Sequence, residues 1–350
     1  MIKIKILNPT KGRNEITFRP FLQLKNHLRE FSIDITESDD YDFLFIGMAD
    51  FIDKSVSLRD SINYGLENIS NISGDYFLFD GSDSTSFMGS LEVFENSDAI
   101  YLFKNQILKD RKMYQTPYAF GKWFFNSGSD LDLSYDISEK VWNRIKLTNI
   151  NCGRTIFGTG ITQYFDKFYK SNVKDIDVCA IFQANHPECY DHEVRNDIPY
   201  TNHRKGLWDT LRTNKYFAGL NMITEKMEFS KYMNKLSNSK ICISPFGMGE
   251  LCFRDYESIL MNTIILKPDQ SHVLSEPNVF VEGETYIGCN LDWSDLEEKV
   301  DFIMENFNEL NQKITNNAKE KLKTEYTYES FCMHYYNIFS KMENIDSEEV

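Results

Sequence analysis

The sequence lacks a long hydrophobic run and a disulfide framework. No window reaches the ~18 consecutive apolar residues that a membrane-spanning helix needs. The N-terminus opens directly into a strand-like run, IKIKIL, without the apolar stretch of a signal peptide. The cysteines number 7, an odd count without any CxxC pair, which is typical of a reducing compartment. We therefore expect a soluble, cytoplasmic protein with no integral membrane segment.

Basic residues are also scarce. The chain carries 38 Lys and Arg against 53 Asp and Glu, a formal net charge of −15. Such a surface repels nucleic-acid phosphates and anionic lipid head groups. We expect no nucleic-acid partner, although a local basic pocket for a small phosphate ligand is compatible with this balance.

Several nucleotide and metal motifs are missing as well. There is no GxGxxG and no GxxxxGK(S/T), which disfavours a nicotinamide dehydrogenase and a P-loop kinase or ATPase. The acidic run at 38–42 precedes a strand instead of ending one, so we do not assign it to a metal. The loop at 185–193 holds His, Cys and Glu residues, but no second ligand cluster lies nearby in the sequence. We expect no metal and no other cofactor.

The order of apolar and amphipathic segments indicates two α/β domains. At 350 residues and 41% hydrophobic composition, the chain is long enough for two cores. Two series of strand-like runs, apolar on both faces, alternate with amphipathic helices, which is the pattern of parallel sheets covered on both sides. The predicted strands are 2–7, 42–47, 76–79, 99–103, 178–182, 215–219, 240–246, 263–268 and 279–283. The predicted helices include 17–31, 57–69, 204–213, 228–236 and 250–261, and 294–323 is expected to form one or two helices.

This order predicts two Rossmann-like doubly wound domains. The first, at 1–172, is the expected acceptor side, and the second, at 173–324, is the expected nucleotide-binding side. A C-terminal helix at 325–345 is expected to pack back onto the first domain.

The segment 243–269 is the most informative one for function. A predicted strand ends there in a turn with Gly247 and Gly249, where glycine lets a ligand approach the backbone closely. In the helix predicted next, Glu250, Arg254 and Glu257 share one face. An arginine neutralises phosphate, and a carboxylate accepts hydrogen bonds from vicinal hydroxyls. The alternative to a phosphate- and sugar-binding helix is an ordinary surface helix, in which these charged side chains pair with one another.

The same segment resembles a known donor-binding signature. The string RDYESILMNTIIL is similar to R-x-x-E-(S/A)-I-x-x-(small)-x-I-x-(V/L) of exostosin-type and capsule-associated glycosyltransferases, and more distantly to the group 1 glycosyltransferases. The resemblance implies a GT-B fold, with two domains facing across a cleft. It implies that Glu257 binds the nucleotide ribose and that Arg254 lies near the diphosphate. Asn262 and Ile265 stand where the signature usually has Gly and Pro. Gly249 stands where retaining group 1 enzymes carry an acidic residue, so the stereochemical course of the transfer, inverting or retaining, stays open.

A basic cluster, His203 to Lys205, follows the first strand of the second domain. By the same resemblance, Arg204 and Lys205 match the position at which GT-B enzymes hold the donor phosphates. A solvated run of surface charge is the alternative.

Two aspartates are candidates for the catalytic base. Asp80 and Asp83 follow the predicted strand 76–79, and the ends of such strands carry functional groups in α/β proteins. An inverting sugar transfer needs a group that takes the proton of the acceptor hydroxyl. Turn and helix-cap chemistry explains the same DGSDSTS stretch equally simply.

Together these features predict a metal-independent glycosyltransferase of polysaccharide biosynthesis, moving a sugar from a nucleotide-sugar to a glycan or another hydroxyl acceptor. The alternatives are a non-catalytic nucleotide- or glycan-binding protein on the same scaffold, and a sugar-nucleotide epimerase, which needs no acceptor.

Overall fold

Two parallel β-sheets, one in each half of the chain, form the framework of the molecule. The computed structural model describes residues 1–12, 14–48, 58–82, 84–87, 89–115, 134–149, 173–182, 199–247 and 249–348. No helix in these ranges is both long and apolar enough to cross a bilayer.

The N-terminal sheet has six parallel strands in the order β2-β1-β3-β4-β5-β7. The strands are β1 (Ile2–Ile6), β2 (Ile33–Thr36), β3 (Phe43–Gly47), β4 (Tyr76–Asp80), β5 (Leu102–Lys104) and β7 (Ile145–Leu147), while β6 (Gln106–Leu108) lies outside this sheet. The connecting helices are α1 (Asn14–Gln23), α2 (Lys25–Glu30), α3 (Leu58–Ile69), α4 (Ser90–Glu95) and α5 (Glu139–Asn143).

Both faces of this sheet are buried, as the continuous apolar runs predict. On one face Phe45, Phe79 and Phe103 join a core with Phe18 and Phe21 of α1. On the other face a separate core holds alternate strand residues and the apolar side of α4. Because successive strand residues point to opposite faces, a run such as FLFIG has to be apolar at nearly every position.

The C-terminal sheet has five parallel strands in the order β13-β11-β10-β8-β9. These are β8 (Ile176–Cys179), β9 (Met222–Ile223), β10 (Ser239–Ile243), β11 (Ile264–Pro268) and β13 (Ile287–Cys289), and β12 (Val273–Ser275) lies apart. The helices are α6 (Pro199–Thr213), α7 (Lys215–Ala218), α8 (Phe229–Ser237), α9 (Phe253–Leu260), α10 (Leu296–Glu305), α11 (Phe307–Leu310), α12 (Asn316–Glu325) and α13 (Tyr328–Glu348).

The carboxyl edges of the two sheets face each other. Strand β6 follows β5, strand β12 follows β11, and the two pair antiparallel, with Leu108 opposite Val273. In both sheets the strand order reverses beside the first strand, between β1 and β3 and between β8 and β10. This confirms the predicted class of two Rossmann-like doubly wound domains, the GT-B arrangement. Ligands of such sheets bind outside the carboxyl ends of the strands at these reversal points.

The C-terminal helix α13 lies against the N-terminal sheet. The ring of Phe339 stacks on Phe43, with centroids 5.9 Å apart, and Tyr335 packs against Phe21 at 4.7 Å. The His334 imidazole nitrogen Nε2 lies 2.9 Å from the carbonyl oxygen of Leu147 at the end of β7. The aromatic residues at the end of the sequence therefore cover a core that is built from the first half of the chain.

Five local predictions are wrong. The segment 294–323, expected to form one or two helices, holds α10, α11, a π-helical turn and α12. The predicted strand 215–219 is helix α7, whose first turn is capped by the Asn214 side chain accepting from the Tyr216 amide at 2.9 Å. The run 279–283 is not a strand, because the Thr285 hydroxyl ties its backbone into a turn. The helix 17–31 is divided into α1 and α2 at Leu24, and the helix expected from 250 begins only at Phe253.

Candidate functional site

A tight glycine turn lies where the C-terminal sheet reverses its order. The chain leaves β10 through Ser244 to Phe246 and turns at Gly247, whose amide donates to the Gly249 carbonyl at 2.8 Å. A Cβ atom on Gly247 would stand 3.0 Å from the Cys252 sulfur and 3.5 Å from an Nη atom of Arg204. Glycine at this position therefore lets the turn pack closely against Cys252, with the Arg204 guanidinium in ordinary contact.

Helix α6 holds the side chain of Arg204 beside this turn. Its Nε donates to the Phe246 carbonyl at 2.7 Å, and the residue is 7% exposed. One edge of the guanidinium is thus fixed to the backbone. Lys205, the next residue, is exposed and brings a second positive charge to the same end of the helix.

His203 supports α6 from the other side. The imidazole stacks on Trp293, with centroids 5.0 Å apart, and accepts from the Phe246 amide through Nε2 at 3.3 Å. Its Nδ1 lies 3.0 Å from the Leu291 carbonyl, which fits the neutral Nδ1–H tautomer. Burial lowers the pKa of His203 to about 4, so the imidazole is neutral at pH 7. His203 therefore supports the site by packing and hydrogen bonds and adds no charge.

Arg254 and Glu257 lie on the less buried side of α9. Arg254 donates from Nη1 to the Ser244 hydroxyl at 3.3 Å. The carboxylate of Glu257 accepts from the Tyr232 hydroxyl of α8 at 2.9 Å. Burial first, and the Glu257 charge second, raise the pKa of Tyr232, which therefore stays a hydrogen-bond donor. The opposite side of α9, with Tyr256, is buried as its apolar residues predict.

A buried ion pair beneath α9 was not foreseen from the sequence. Asp255 and Lys267 pair with side chains that are 0% exposed. Asp255 also accepts from the Cys252 amide at 3.0 Å and from the Ser244 hydroxyl at 2.6 Å, so it caps the helix and makes α9 begin at Phe253. The signal was present as a lysine inside the apolar strand IILKP, since a buried ammonium requires a nearby counter-charge.

Glu250 does not share the exposed side of α9, contrary to the predicted spacing. It precedes the helix and is 0% exposed. Its carboxylate accepts from the Thr85 hydroxyl at 2.8 Å and from Gln106 Nε2 at 3.1 Å, both in the N-terminal domain. Burial raises the pKa of Glu250. In this conformation its side chain joins the domains and is not directed at a ligand.

Asp80 is likewise buried, and its carboxylate is bound by other protein groups. It is 4% exposed, pairs with the fully buried Lys104 at 3.1 Å, and accepts from the Ser90 hydroxyl at 2.6 Å. Its other oxygen accepts from the Ser82 amide at 3.0 Å. These contacts hold the turn after β4 and bind Asp80 to Lys104, which is a structural role like the turn alternative. Asp83 and the loop at 185–193 lie outside the described residues.

The structure thus brings most of the expected donor-site residues together. Arg204 donates to the Phe246 carbonyl and Arg254 to the Ser244 hydroxyl, so both bind the segment that follows β10. Glu257 lies one turn after Arg254 on α9. Cys179, the last residue of β8, is buried beside them. Burial raises the pKa of Cys179 to about 11, so it is an uncharged neighbour and not a nucleophile. Two guanidinium groups, a glycine turn and one carboxylate therefore surround the carboxyl ends of β8 and β10.

Comparison with known proteins gives structural neighbours only. No protein-family model matches the chain, and neither does any curated protein sequence. HepE from Anabaena in complex with UDP-glucose has 8% identity and a TM-score of 0.48 over 97% of this chain and 100% of that one. Sucrose-phosphate synthase from Thermosynechococcus elongatus has 10% identity and a TM-score of 0.46, over 87% and 74%. A putative UDP-N-acetylglucosamine 2-epimerase from Listeria monocytogenes has 12% identity and a TM-score of 0.41, over 99% and 97%. At these values the neighbours supply no substrate and no residue role for this chain.

Proposed function

We propose that the protein is a glycosyltransferase that binds a nucleotide-sugar donor at the carboxyl edge of its C-terminal sheet. The observation that carries this proposal is the position of Arg204, Gly247, Arg254 and Glu257 around the reversal point between β8 and β10. An open α/β sheet binds its ligand at such a point. Two guanidinium groups beside a glycine turn suit a diphosphate, which an overall acidic surface would otherwise repel.

Each group has a specific role in this proposal. Arg204 and Arg254, assisted by Lys205, offset the charge of the diphosphate and of the leaving nucleotide as the glycosidic bond breaks. Helix α9 begins close to the Gly247 turn, so the positive end of its dipole also favours the phosphates. Glu257 accepts hydrogen bonds from the vicinal hydroxyls of the ribose, and Tyr232 holds its carboxylate in place.

The acceptor is proposed to enter from the N-terminal domain, whose carboxyl edge faces the donor site. Since Asp80 is engaged by Lys104, Asp83 is the candidate left for the base that takes the acceptor's proton. Charge neutralisation by arginine and lysine makes a divalent metal unnecessary for this transfer, and we propose that the reaction is metal-independent.

The test is product analysis with nucleotide sugars, in the presence and absence of glycan acceptors and with a chelator. The proposal expects release of nucleoside diphosphate together with a glycosylated acceptor, lost in Glu257→Ala and retained in Glu309→Ala, which removes an exposed carboxylate of α11. An isomerised sugar nucleotide formed without acceptor would instead establish an epimerase. Binding of a sugar nucleotide without any turnover would establish a non-catalytic binding protein.

A further inference from the structure

A polar groove lies at the amino edge of the C-terminal sheet, on the side opposite the proposed donor site. Lys174 precedes β8, Lys240 is the second residue of β10, and Asn262 precedes β11, so all three lie where these parallel strands begin. The groove has a volume of about 560 Å³. That is within the range of about 300–1,000 Å³ of small-molecule sites.

The groove is lined mainly by carboxamide side chains. Five of its nine lining residues are amides, namely Asn262, Asn308, Asn311, Gln312 and Asn316. Phe307 adds an apolar wall, and among the described residues that line the groove there is no carboxylate. A carboxamide offers a donor and an acceptor side by side, which matches a hydroxyl group that donates one hydrogen bond and accepts others.

Two of these amides have unused acceptors. The Oδ1 atoms of Asn262 and Asn311 are buried and have no hydrogen-bond partner among the described residues. Asn262 has a left-handed backbone with φ of 54° and directly follows the C-cap of α9, where Asn commonly takes this conformation. Asn311 begins a single π-helical turn, Asn311–Thr315, a local irregularity that is frequent at functional sites. Both atoms are enclosed, so a ligand hydroxyl reaches them only when the amide side chain turns towards the groove.

The two lysines of the groove are already engaged by the protein. Lys240 pairs with Asp177 at 2.7 Å. Lys174 donates to the Met261 carbonyl at 3.0 Å and to the Thr263 hydroxyl at 3.2 Å. Burial lowers the pKa of Lys174 to about 7, so it carries only part of a charge at neutral pH. The groove is therefore strongly polar but only weakly cationic, which favours an uncharged ligand over a phosphate or a carboxylate.

We propose that this groove is a second carbohydrate site, which holds a segment of an uncharged glycan by hydrogen bonds to its hydroxyls. The site is separate from the reversal point between β8 and β10 and shares no residue with it. A glycan held there is anchored to the C-terminal domain at a distance from the transfer site.

The experiment measures binding of uncharged oligosaccharides (maltohexaose, cellohexaose and chitohexaose) by titration calorimetry, with inorganic phosphate and oligogalacturonate as charged probes. Asn308→Ala/Asn316→Ala removes two exposed lining amides, and Asn317→Ala removes an adjacent exposed amide that does not line the groove. We expect one of the uncharged oligosaccharides to bind wild type and Asn317→Ala equally and the double variant about tenfold more weakly. Binding should also persist in Glu257→Ala, which separates this site from the donor site.

Two results would overturn the inference. One is an absence of binding by all three uncharged oligosaccharides at millimolar concentration. The other is tighter binding of phosphate or oligogalacturonate that the Asn308→Ala/Asn316→Ala variant weakens, since this would assign the groove to an anion. Neither result changes the outcome of donor binding, which depends on the opposite edge of the sheet.

Discussion

The carboxylate of Glu250 lies 2.8 Å from the hydroxyl of Thr85, although 165 positions separate the two residues in the chain. The contact joins the loop after β10 to the loop after β4, so it links the carboxyl edges of the two sheets. Gln106 donates to the same carboxylate at 3.1 Å, and Lys267 donates to the Glu250 backbone carbonyl at 2.9 Å. Glu250 therefore adds a buried polar contact to the junction that the β6–β12 pairing also forms.

Replacement of Glu250 should destabilise the protein. In Glu250→Ala the buried donors of Thr85 and Gln106 lose their acceptor, which should cost about 2–4 kcal/mol of unfolding free energy. Urea unfolding measures this loss, and Glu284→Ala, an exposed glutamate of the same domain, is the control. If Glu250→Ala had wild-type stability but no longer bound nucleotide, Glu250 would be a donor-binding residue and not a structural one.

Asp80 should prove structural and not catalytic. Asp80→Asn keeps only one of the two oxygens that accept from the Ser82 amide and the Ser90 hydroxyl, and it leaves Lys104 without its counter-charge. The unfolding free energy should therefore fall by about 3–5 kcal/mol. Below the unfolding temperature, the variant should keep sugar transfer within about tenfold of wild type. Loss of a catalytic base would instead lower the rate about 10²–10⁴-fold. A stable Asp80→Asn variant with a loss of that size would contradict the assignment.

The space around Gly247 should decide donor affinity. A methyl group there crowds the Cys252 sulfur, so Gly247→Ala should shift the turn beside Arg204 and weaken nucleotide binding about tenfold. Gly206 is the matched control, because a Cβ added to this glycine of α6 has nothing within 4 Å. Calorimetric titration of the nucleotide compares the two variants. Equal affinities would remove the Gly247 turn from the site.

Stability should fall as the pH is lowered towards 4, in part because of His203. Its folded pKa of about 4 is below the ordinary value of 6.5, so between these values the unfolded state binds the extra proton. Acidification through this window therefore costs about 3 kcal/mol of unfolding free energy from His203 alone. His272, whose pKa burial also lowers to about 4, contributes in the same direction, whereas the raised pKa of Glu250 acts oppositely above pH 4.5.

His203→Gln isolates this contribution, because an amide keeps a donor and an acceptor but does not titrate. Its urea-unfolding free energy should fall less between pH 6.5 and 4 than that of wild type, even though its stability at neutral pH is lower. An identical pH dependence in both proteins would show that His203 does not titrate with a lowered pKa.

The sequence predicts the sheets better than it predicts the charged interior. Buried parallel strands such as β3 and β10 are continuous apolar runs between turn signals, so their positions follow from local pattern. The turn at Gly247 and the side chains of Arg254 and Glu257 follow from the same pattern together with the resemblance. The short aromatic run at 215–219 has strand propensity, so its pattern predicts a strand. The Asn214 side chain caps a helix at this position, and the run forms α7 instead.

The roles of the carboxylates could not be obtained in this way. The partners of Glu250 are 144 and 165 positions away, and Asp80 meets Lys104 from the next strand of the sheet. Spacing along a helix identifies side chains that share a face, but it does not say which helix residue comes first. The capping contact of Asp255 starts α9 at Phe253 and leaves Glu250 outside it.

Thermal denaturation with a panel of nucleotides and nucleotide sugars of the UDP, GDP, ADP, CMP and dTDP types tests the donor site most directly. A ligand that binds only the folded protein raises the midpoint by mass action. We predict a concentration-dependent rise with one nucleotide class in wild type and in Glu309→Ala, and its loss in Glu257→Ala. No rise across the panel at millimolar concentration, or a rise that Glu257→Ala leaves intact, would contradict a donor site at the carboxyl edge of the C-terminal sheet.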